Sequence, residues 1–180
     1  IGFRPVSHGS GFVAHHAVAQ IALGSGSALI GPSSEAVMAW SGAEPIPVLA
    51  RWERLLPGGV NREALHLAVG AAIPSRHLYC CAVASSGSSI LDRILVYDYV
   101  RRRWWAWSAP WGVSAMARDT SARGKERLLI GTDDGHVLTL GRAETDDGRV
   151  INGFARTPPV APFGDIRADF QRVMIEARQM

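Results

Sequence analysis

Three histidines near the beginning of the chain carry side chains that could bind a metal ion. His15 and His16 are adjacent, and His8 precedes them. Adjacent residues of a strand point to opposite faces, so a strand over residues 12–21 would keep His15 and His16 from sharing one ion. The sequence offers no obvious third ligand. We therefore expect surface or interface histidines, and neither a metal site nor another cofactor.

The chain has two cysteines, Cys80 and Cys81, and they are adjacent. A disulfide between neighbouring residues needs a distorted peptide, so we expect two free thiols. Both lie in an apolar run that predicts a strand, and alternation places one thiol in the core and the other on the opposite face. A buried cysteine usually behaves as a small hydrophobic residue.

Paired carboxylates and serines in glycine-rich turns are the remaining catalytic candidates. Asp133-Asp134 and Asp146-Asp147 each precede a glycine. General acid–base catalysis needs a carboxyl group with a raised pKa in a cleft, whereas Asp in a turn is explained by hydrogen bonds to its own backbone. The calcium-loop spacing Asp-x-Asp-x-Asp-Gly is missing from this sequence, as are a Gly-x-Ser-x-Gly elbow and a Gly-Lys-Ser/Thr phosphate loop. We therefore expect that the protein is not an enzyme.

The densest basic run, Arg101-Arg102-Arg103, stands directly before a tryptophan-rich segment. Aromatic stacking beside basic groups is how proteins hold single-stranded nucleic acid, and Arg above Trp gives cation–π contacts. The alternative interpretation is a solvated hairpin loop over a tryptophan-packed sheet. We favour this second interpretation because connecting loops normally run over the surface.

Composition limits the class of protein. Of 180 residues, 47% are hydrophobic and 19% are charged, which excludes a disordered chain. The formal net charge of +3 is too small to indicate a dedicated nucleic-acid binder. The sequence contains no apolar run of about 18 residues, the length that a membrane span needs. Since the chain begins with Ile1 and has no leader pattern, we expect the C-terminal part of a longer polypeptide.

Frequent turn signals separate short apolar or alternating runs, a pattern typical of an all-β domain. We expect strands at residues 12–21, 28–30, 37–40, 65–73, 78–84, 94–99, 104–108, 128–130, 136–140, 150–155 and 170–175. Asn61 is placed as an N-cap for a helical turn that leads into a strand. Residues 46–56 are ambiguous, because prolines at 45 and 47 prevent an early helical start.

Two hairpins are predicted in detail. If residues 100–103 form a loop, Tyr99 faces Trp104 and Tyr97 faces Ala106. One face of that hairpin then carries Trp105 and Trp107, and the other carries Trp104. In the second hairpin, Asp134-Gly135 can adopt the positive φ values of a type I′ turn.

Tyr97-Asp98, followed by Trp104, resembles the Tyr-Asp…Trp signature of kelch-like propeller blades. The resemblance implies that the Asp closes a turn and that the Trp packs between neighbouring blades. It also implies an all-β fold of β-propeller-like blades, built from short antiparallel strands. A blade takes about 40–50 residues, so residues 1–180 hold one domain of about three to four blades. The domain is then a fragment of a propeller, an incomplete propeller, or a set of β-hairpins that close by oligomerising.

Gly131, Asp134 and Gly135 resemble the Gly…Asp-Gly-x-Val hairpin that ends such blades. The order of these motifs is similar to the C-terminal part of bacteriophage virion propeller proteins, which include nozzle, hub and stopper components of the tail and head–tail connector. The resemblance implies a structural virion protein of the tail or neck, repeated in a homo-oligomeric ring around the DNA channel, with other virion proteins as partners. In that channel, Arg101, Arg102 and Arg103 are the candidates for weak contact with passing DNA.

A second interpretation belongs to a different class. A cellular kelch-like propeller module would bind a protein or a glycan on its loops. Such a propeller should repeat its signature several times, whereas this chain has one clear copy and several degenerate ones. The sequence therefore favours the virion interpretation and leaves the second one open.

Overall fold

The computed structural model describes residues 11–24, 26–42, 45–46, 51–120, 126–140, 145–146 and 149–150. The chain divides into two compact units, Ile1–Ala143 and Glu144–Met180. His8 and the strand predicted at residues 170–175 lie outside the described residues, as does most of the strand predicted at residues 150–155. The extent of one propeller-like domain over residues 1–180, and its continuation from a longer polypeptide, stay predictions.

The described part of the first unit contains three antiparallel sheets, each formed by strands that are consecutive in the chain. The first sheet has the strands β1 (Ala19–Leu23), β2 (Gly26–Pro32), β3 (Val37–Trp40) and β4 (Pro45–Ile46). The second has β5 (Val69–Ile73), β6 (Leu78–Val83), β7 (Arg93–Asp98) and β8 (Arg103–Ser108). The third has β9 (Val113–Thr120), β10 (Glu126–Thr132) and β11 (Val137–Thr139).

The first strands of the three sheets lie side by side, because β5 contacts both β1 and β9. Consecutive antiparallel meanders that meet along their first strands resemble propeller blades around an axis. The prediction of an all-β, propeller-like fold is confirmed, and the described strands form an incomplete propeller and no closed barrel. In the second unit, β12 (Thr145–Asp146) pairs with β13 (Arg149–Val150).

Two hydrophobic cores lie on opposite faces of the second sheet. Alternation along β6 and β7 sends successive side chains into different cores. The first core, shared with the first sheet, takes Tyr79, Cys81, Val83, Leu95 and Tyr97 from these strands. The second core, shared with the third sheet, takes Cys80, Ala82, Ile94 and Val96. Each large apolar side chain buried here stabilises the fold by about 1.5–3 kcal/mol. Because the second sheet contributes residues to both cores, it is the centre of the unit.

Short helices replace parts of the predicted strands. His15–Ala17 is a 3-10 helix, which corrects the single strand predicted at residues 12–21. Leu65–Leu67 is also a 3-10 helix, so β5 begins only at Val69, which corrects the predicted strand over residues 65–73. The ambiguous residues 46–56 contain the short helix α1 (Trp52–Leu55).

The helical turn predicted after Asn61 is present, but the N-cap of the helix Leu65–Leu67 is Ala64 and not Asn61. The Glu63 backbone N–H donates to Asn61 Oδ1 at 3.1 Å, and Asn61 Nδ2 donates to the Ser88 carbonyl at 2.8 Å. The side chain therefore closes its own turn and ties it to the loop after β6. The strand β9, by contrast, was not predicted from the sequence.

Candidate interaction site

The β7–β8 hairpin brings the blade signature together, but its register differs from the prediction. Tyr97 pairs with Trp104 and Asp98 pairs with Arg103. The predicted pairing of Tyr99 with Trp104 is wrong, because the loop consists of residues 99–102. Asp98 fixes the length of this loop, so the cross-strand pairs of β7 and β8 differ from the predicted ones.

Asp98 closes the loop from a buried position, with 2% of its side chain exposed. Its Oδ1 accepts hydrogen bonds from the backbone N–H groups of Val100, at 3.0 Å, and Arg101, at 2.8 Å. Its Oδ2 accepts a hydrogen bond from Arg101 Nη1 at 2.8 Å. The Arg101 backbone N–H, and then its guanidinium, lower the pKa of Asp98 against the opposing effect of burial.

Trp104 stacks on Tyr97, with ring centroids 4.6 Å apart and ring planes at 15°. Tyr97 is buried in the first core, and Trp104 packs against that core. Burial raises the pKa of the Tyr97 hydroxyl, although the positive charge of Arg102 acts in the other direction. Tyr97 and Trp104 therefore belong to the packing between the first and second sheets.

Trp105 and Trp107 remain on the surface, with 44% and 39% of their area exposed. They pair with Val96 and Ile94, whose side chains belong to the second core. The predicted separation of these two tryptophans from Trp104 is therefore present in the hairpin. Among the described residues β8 is the last strand of its sheet, so its outer edge and this aromatic pair are the candidates for contact with a partner.

The three arginines of the loop are not equivalent. Arg101 forms the ion pair with Asp98 described above, so its charge stabilises the loop itself. Arg102 has a positive φ of 55°, and both Arg102 and Arg103 are exposed. If this loop touches nucleic acid, Arg102 and Arg103 are its available cations.

The β10–β11 loop differs from the predicted type I′ turn. A type I′ turn needs positive φ at both central residues, but Gly135 has a φ of 87° and Asp134 does not have a positive value. The loop spans residues 133–136 and is closed by Thr132, the last residue of β10. The Thr132 N–H donates to the His136 carbonyl at 2.9 Å, and the His136 N–H donates to Thr132 Oγ1 at 3.0 Å.

Asp134 lies in the loop of this hairpin, and Gly131 lies in the strand β10. The Thr132 hydroxyl donates to Asp134, and this hydrogen bond is the main cause of a lowered pKa for Asp134. Gly131 pairs with Val137 in the strand and with Ala115 on the other side. The carboxylate thus has a structural partner, and its lowered pKa is the reverse of what a general acid needs.

A groove of about 560 Å³ lies where the first strands of the three sheets meet. Small residues dominate its walls, and Gln20 and Arg118 add polar groups. Arg118 lies 3.5 Å from Glu126, whose other oxygen accepts the Ser75 N–H at 2.8 Å. Hydrogen bonding from Ser75 lowers the pKa of Glu126. The groove lies among the first strands of the three sheets, and it was not predicted because β9 is absent from the strands that the sequence indicates.

The thiols and histidines do not assemble into a reactive site in the described part of the chain. Cys80 and Cys81 are both buried and free, and burial raises the pKa of each thiol to about 12. His15 and His16 have ring centroids 3.8 Å apart, because they lie in a 3-10 helix and not on opposite faces of a strand. Among the described residues, no group of three or more His, Cys, Asp or Glu side chains is placed to hold a metal ion.

Comparison with protein-family models finds no match, and comparison with curated proteins finds no significant match. The described residues contain no helix that is long and apolar enough to cross a membrane.

Proposed function

We propose that this chain is a structural component of a bacteriophage virion, located in the tail nozzle, hub or neck. It forms part of a ring around the DNA channel, and it acts through contacts with its own copies and with neighbouring virion proteins. The order of blade motifs in the sequence supports this role, as does the propeller-like arrangement of the three sheets.

The observation that carries the proposal is the amount of apolar surface left on regular strands. Trp105, Trp107, Leu29 and Val137 are all substantially exposed. Exposed apolar groups on open sheets promote aggregation unless a partner covers them. A subunit built for assembly has such partners, whereas an isolated globule normally protects these positions.

The arginine loop fits the channel role as a weak contact. Arg102 and Arg103 can approach phosphates without disturbing the Asp98–Arg101 pair. Two cations release few counterions, so we expect a dissociation constant near the non-specific range, about 10⁻⁴ M or weaker at physiological salt. Weak binding is compatible with DNA that passes through, and tight binding would contradict this part of the proposal.

The experiment locates the chain in particles. Phage particles whose genome encodes the chain are purified on a density gradient, analysed by mass spectrometry and labelled with gold-conjugated antibodies against the chain. We expect the chain in the particle fraction and gold at the tail or neck, with no gold on particles from a deletion strain. A chain that stays in the cell fraction contradicts the proposal.

A second candidate, a propeller module that binds a protein or a glycan, is favoured by one observation. Trp105 and Trp107 present two exposed indole rings on one face of an edge strand. For this candidate, a purified monomer would be retained on a glycan or peptide array, and Trp105→Ala with Trp107→Ala would abolish retention. Trp104→Phe is the matched control, because Trp104 packs against the core.

A further inference from the structure

The tetrapeptide Thr-Asp-Asp-Gly occurs twice in the chain, at residues 132–135 and at residues 145–148. Each copy ends in an Asp-Gly pair, which is Asp134-Gly135 in the first copy. An aspartate that precedes glycine is prone to spontaneous isomerisation, because glycine has no side chain to hinder the attack of its backbone nitrogen on the aspartate carboxyl group. The two copies should therefore isomerise at similar rates in an unfolded chain.

Isomerisation of Asp134 proceeds through a cyclic imide. The Gly135 nitrogen forms a bond to Asp134 Cγ and loses its proton, one carboxyl oxygen leaves as water, and a five-membered succinimide ring results. Water then adds to the ring. When it adds at the main-chain carbonyl carbon of Asp134, the bond from that carbon to the Gly135 nitrogen breaks, and the chain continues through the side chain as isoaspartate. One water is lost and one is gained, so the mass of the protein is unchanged.

Both reacting groups of this Asp-Gly pair are held by Thr132. The Gly135 backbone N–H, which carries the nucleophile, donates to the Thr132 carbonyl at 3.2 Å. The Asp134 carboxylate, which carries the electrophilic carbon, accepts a hydrogen bond from the Thr132 hydroxyl. Ring closure requires both groups to leave these partners, because the nitrogen and the carboxyl carbon must come within bonding distance.

Thr132 is itself fixed in the fold. It is the last residue of β10, and only 4% of it is exposed. Its N–H donates to the His136 carbonyl at 2.9 Å, and its hydroxyl accepts the His136 N–H at 3.0 Å. Leu138, two residues further along, packs against the second core. Release of Asp134 and Gly135 therefore requires a local opening of the β10–β11 loop.

Charge at Asp134 opposes the reaction as well. Ring closure expels a carboxyl oxygen as water, so it proceeds from the protonated carboxyl group. Hydrogen bonding from Thr132 is the main cause of the lowered pKa of Asp134, and the charge of a protonated His136, whose Nδ1 lies 3.5 Å from Asp134 Oδ2, acts in the same direction. The neutral carboxyl form is thus rarer in the native loop than in the unfolded chain.

We propose that Asp134 is a site of spontaneous isomerisation to isoaspartate, and that Thr132 suppresses the reaction in the folded protein by holding both reacting groups. The reaction then occurs only when the β10–β11 loop opens. Isoaspartate adds a methylene group to the main chain of this short loop, so it would disturb the neighbouring pair of Gly131 and Val137. The inference does not rest on the virion role, because it concerns the chemistry of one loop.

The test follows isoaspartate at both copies of the tetrapeptide in the same chain. Purified protein is kept at neutral pH and physiological temperature for several weeks, either native or in concentrated urea. A tryptic digest separates the two copies, since Arg142 lies between them, and electron-transfer dissociation locates the isoaspartate. In urea, Asp134 and Asp147 should isomerise at similar rates. In the native protein Asp134 should isomerise at least about tenfold more slowly than in urea, because opening breaks several hydrogen bonds, one of them to a charged group.

Two variants of Thr132 test its part in the suppression. Thr132→Val removes the hydroxyl and keeps the shape of the side chain, whereas Thr132→Ser keeps the hydroxyl and is the matched control. Under native conditions, Thr132→Val should isomerise at Asp134 at least about fivefold faster than wild type, and Thr132→Ser should stay within about twofold of it. Asp134→Glu should abolish the signal at this position, because glutamate would have to close a less favourable six-membered ring.

Equal rates at Asp134 in the native protein and in urea overturn the proposal. A Thr132→Val rate equal to that of wild type also overturns it, since Thr132 would then not control the reaction. Circular dichroism shows whether Thr132→Val folds. If it does not, hydrogen exchange of the Gly135 amide in wild type replaces it. The fraction of time for which this N–H is open should match the ratio of native to urea isomerisation rates within about threefold. A Gly135 amide that exchanges as fast as in an unfolded chain contradicts the proposal.

Discussion

The indole ring of Trp104 lies on the phenol ring of Tyr97, with ring centroids 4.6 Å apart and ring planes 15° from parallel. The two residues are direct partners across β7 and β8. Stacked aromatic pairs contribute about 0.5–1.5 kcal/mol beyond the area that they bury. The stack therefore joins the edge strand of the second sheet to the first core.

Trp104→Ala should lower the free energy of unfolding by about 2–4 kcal/mol, since it removes the stack and leaves a cavity beside Tyr97. Trp107→Ala, on the exposed face of the same strand, should cost less than about 1 kcal/mol. Urea unfolding followed by circular dichroism gives both values. Equal losses in the two variants would show that the stack is not the source of the stability.

Trp104→Phe refines this prediction. The Trp104 Nε1–H is buried and has no hydrogen-bond partner among the described residues. A buried donor without a partner costs about 1–3 kcal/mol, so its removal offsets the smaller ring of Phe. We expect a loss of under about 1 kcal/mol in the same urea measurement. A loss as large as that of the Ala variant would indicate that the indole nitrogen is satisfied in solution.

Asp98→Ala should destabilise the protein by about 2 kcal/mol, because two backbone N–H groups and Arg101 lose their acceptor. Asp98→Asn keeps an oxygen for the backbone but loses the charge. The native pKa of Asp98 is lowered, so its charge stabilises the fold above the ordinary value of 3.8. This contribution is lost as the pH falls through the lowered pKa.

The measurement is the unfolding free energy of wild type and of Asp98→Asn from pH 7 down to pH 2. The difference between the two should be constant above about pH 5 and should shrink toward acid. Arg101→Gln should reduce the same difference, since the guanidinium is one of the groups that lower the pKa. A difference that grows toward acid would contradict the assigned direction.

The sequence predicted the strands of the second sheet well because their residues are apolar, β-branched or aromatic. β6 and β7 were predicted to within two residues at each end. β9 was missed because Ser114, Ala115, Met116 and Ala117 have little strand propensity and lie in the strand for tertiary reasons. The groove, which β9 lines, could therefore not be predicted from the sequence.

The register of the β7–β8 loop and the turn type of the β10–β11 loop were mispredicted for a common reason. In each case one side chain, Asp98 or Thr132, binds backbone N–H groups further along the chain and sets the loop length. Turn propensities of Asp134 and Gly135 alone do not contain this information. The alternation of Trp104 against Trp105 was predicted correctly, because it depends on the strand and not on the register.

Gly70→Ala should be strongly destabilising. A Cβ at Gly70 would lie 2.7 Å from the Cys80 carbonyl oxygen and 3.2 Å from the Ala17 carbonyl oxygen. Both obstacles are backbone atoms, so the strand itself must move, at a cost of about 1–3 kcal/mol. Gly26→Ala is the control, because Gly26 is also in a strand and a Cβ there has ordinary contacts. It should be neutral or stabilise by up to about 1 kcal/mol in the same thermal or urea unfolding experiment.

Cys80 and Cys81 should make the protein sensitive to alkali and yet inert to alkylation. Burial raises the pKa of each thiol from 9.0 to about 12. The unfolded chain therefore loses these protons from about pH 9, whereas the native chain keeps them. Stability is at its full value below pH 9 and falls as the pH rises, by about 1.4 kcal/mol per pH unit for each thiol.

The double variant Cys80→Ala/Cys81→Ala should lose most of this slope between pH 9 and pH 10, whatever its stability at neutral pH. The comparison stays within this range because Tyr79 is also buried with a raised pKa and adds a slope above its ordinary value of 10.0. Iodoacetamide at pH 8 should label neither thiol in the folded wild type and both in urea. Rapid labelling of the native protein would show that the strand β6 opens between its two cores.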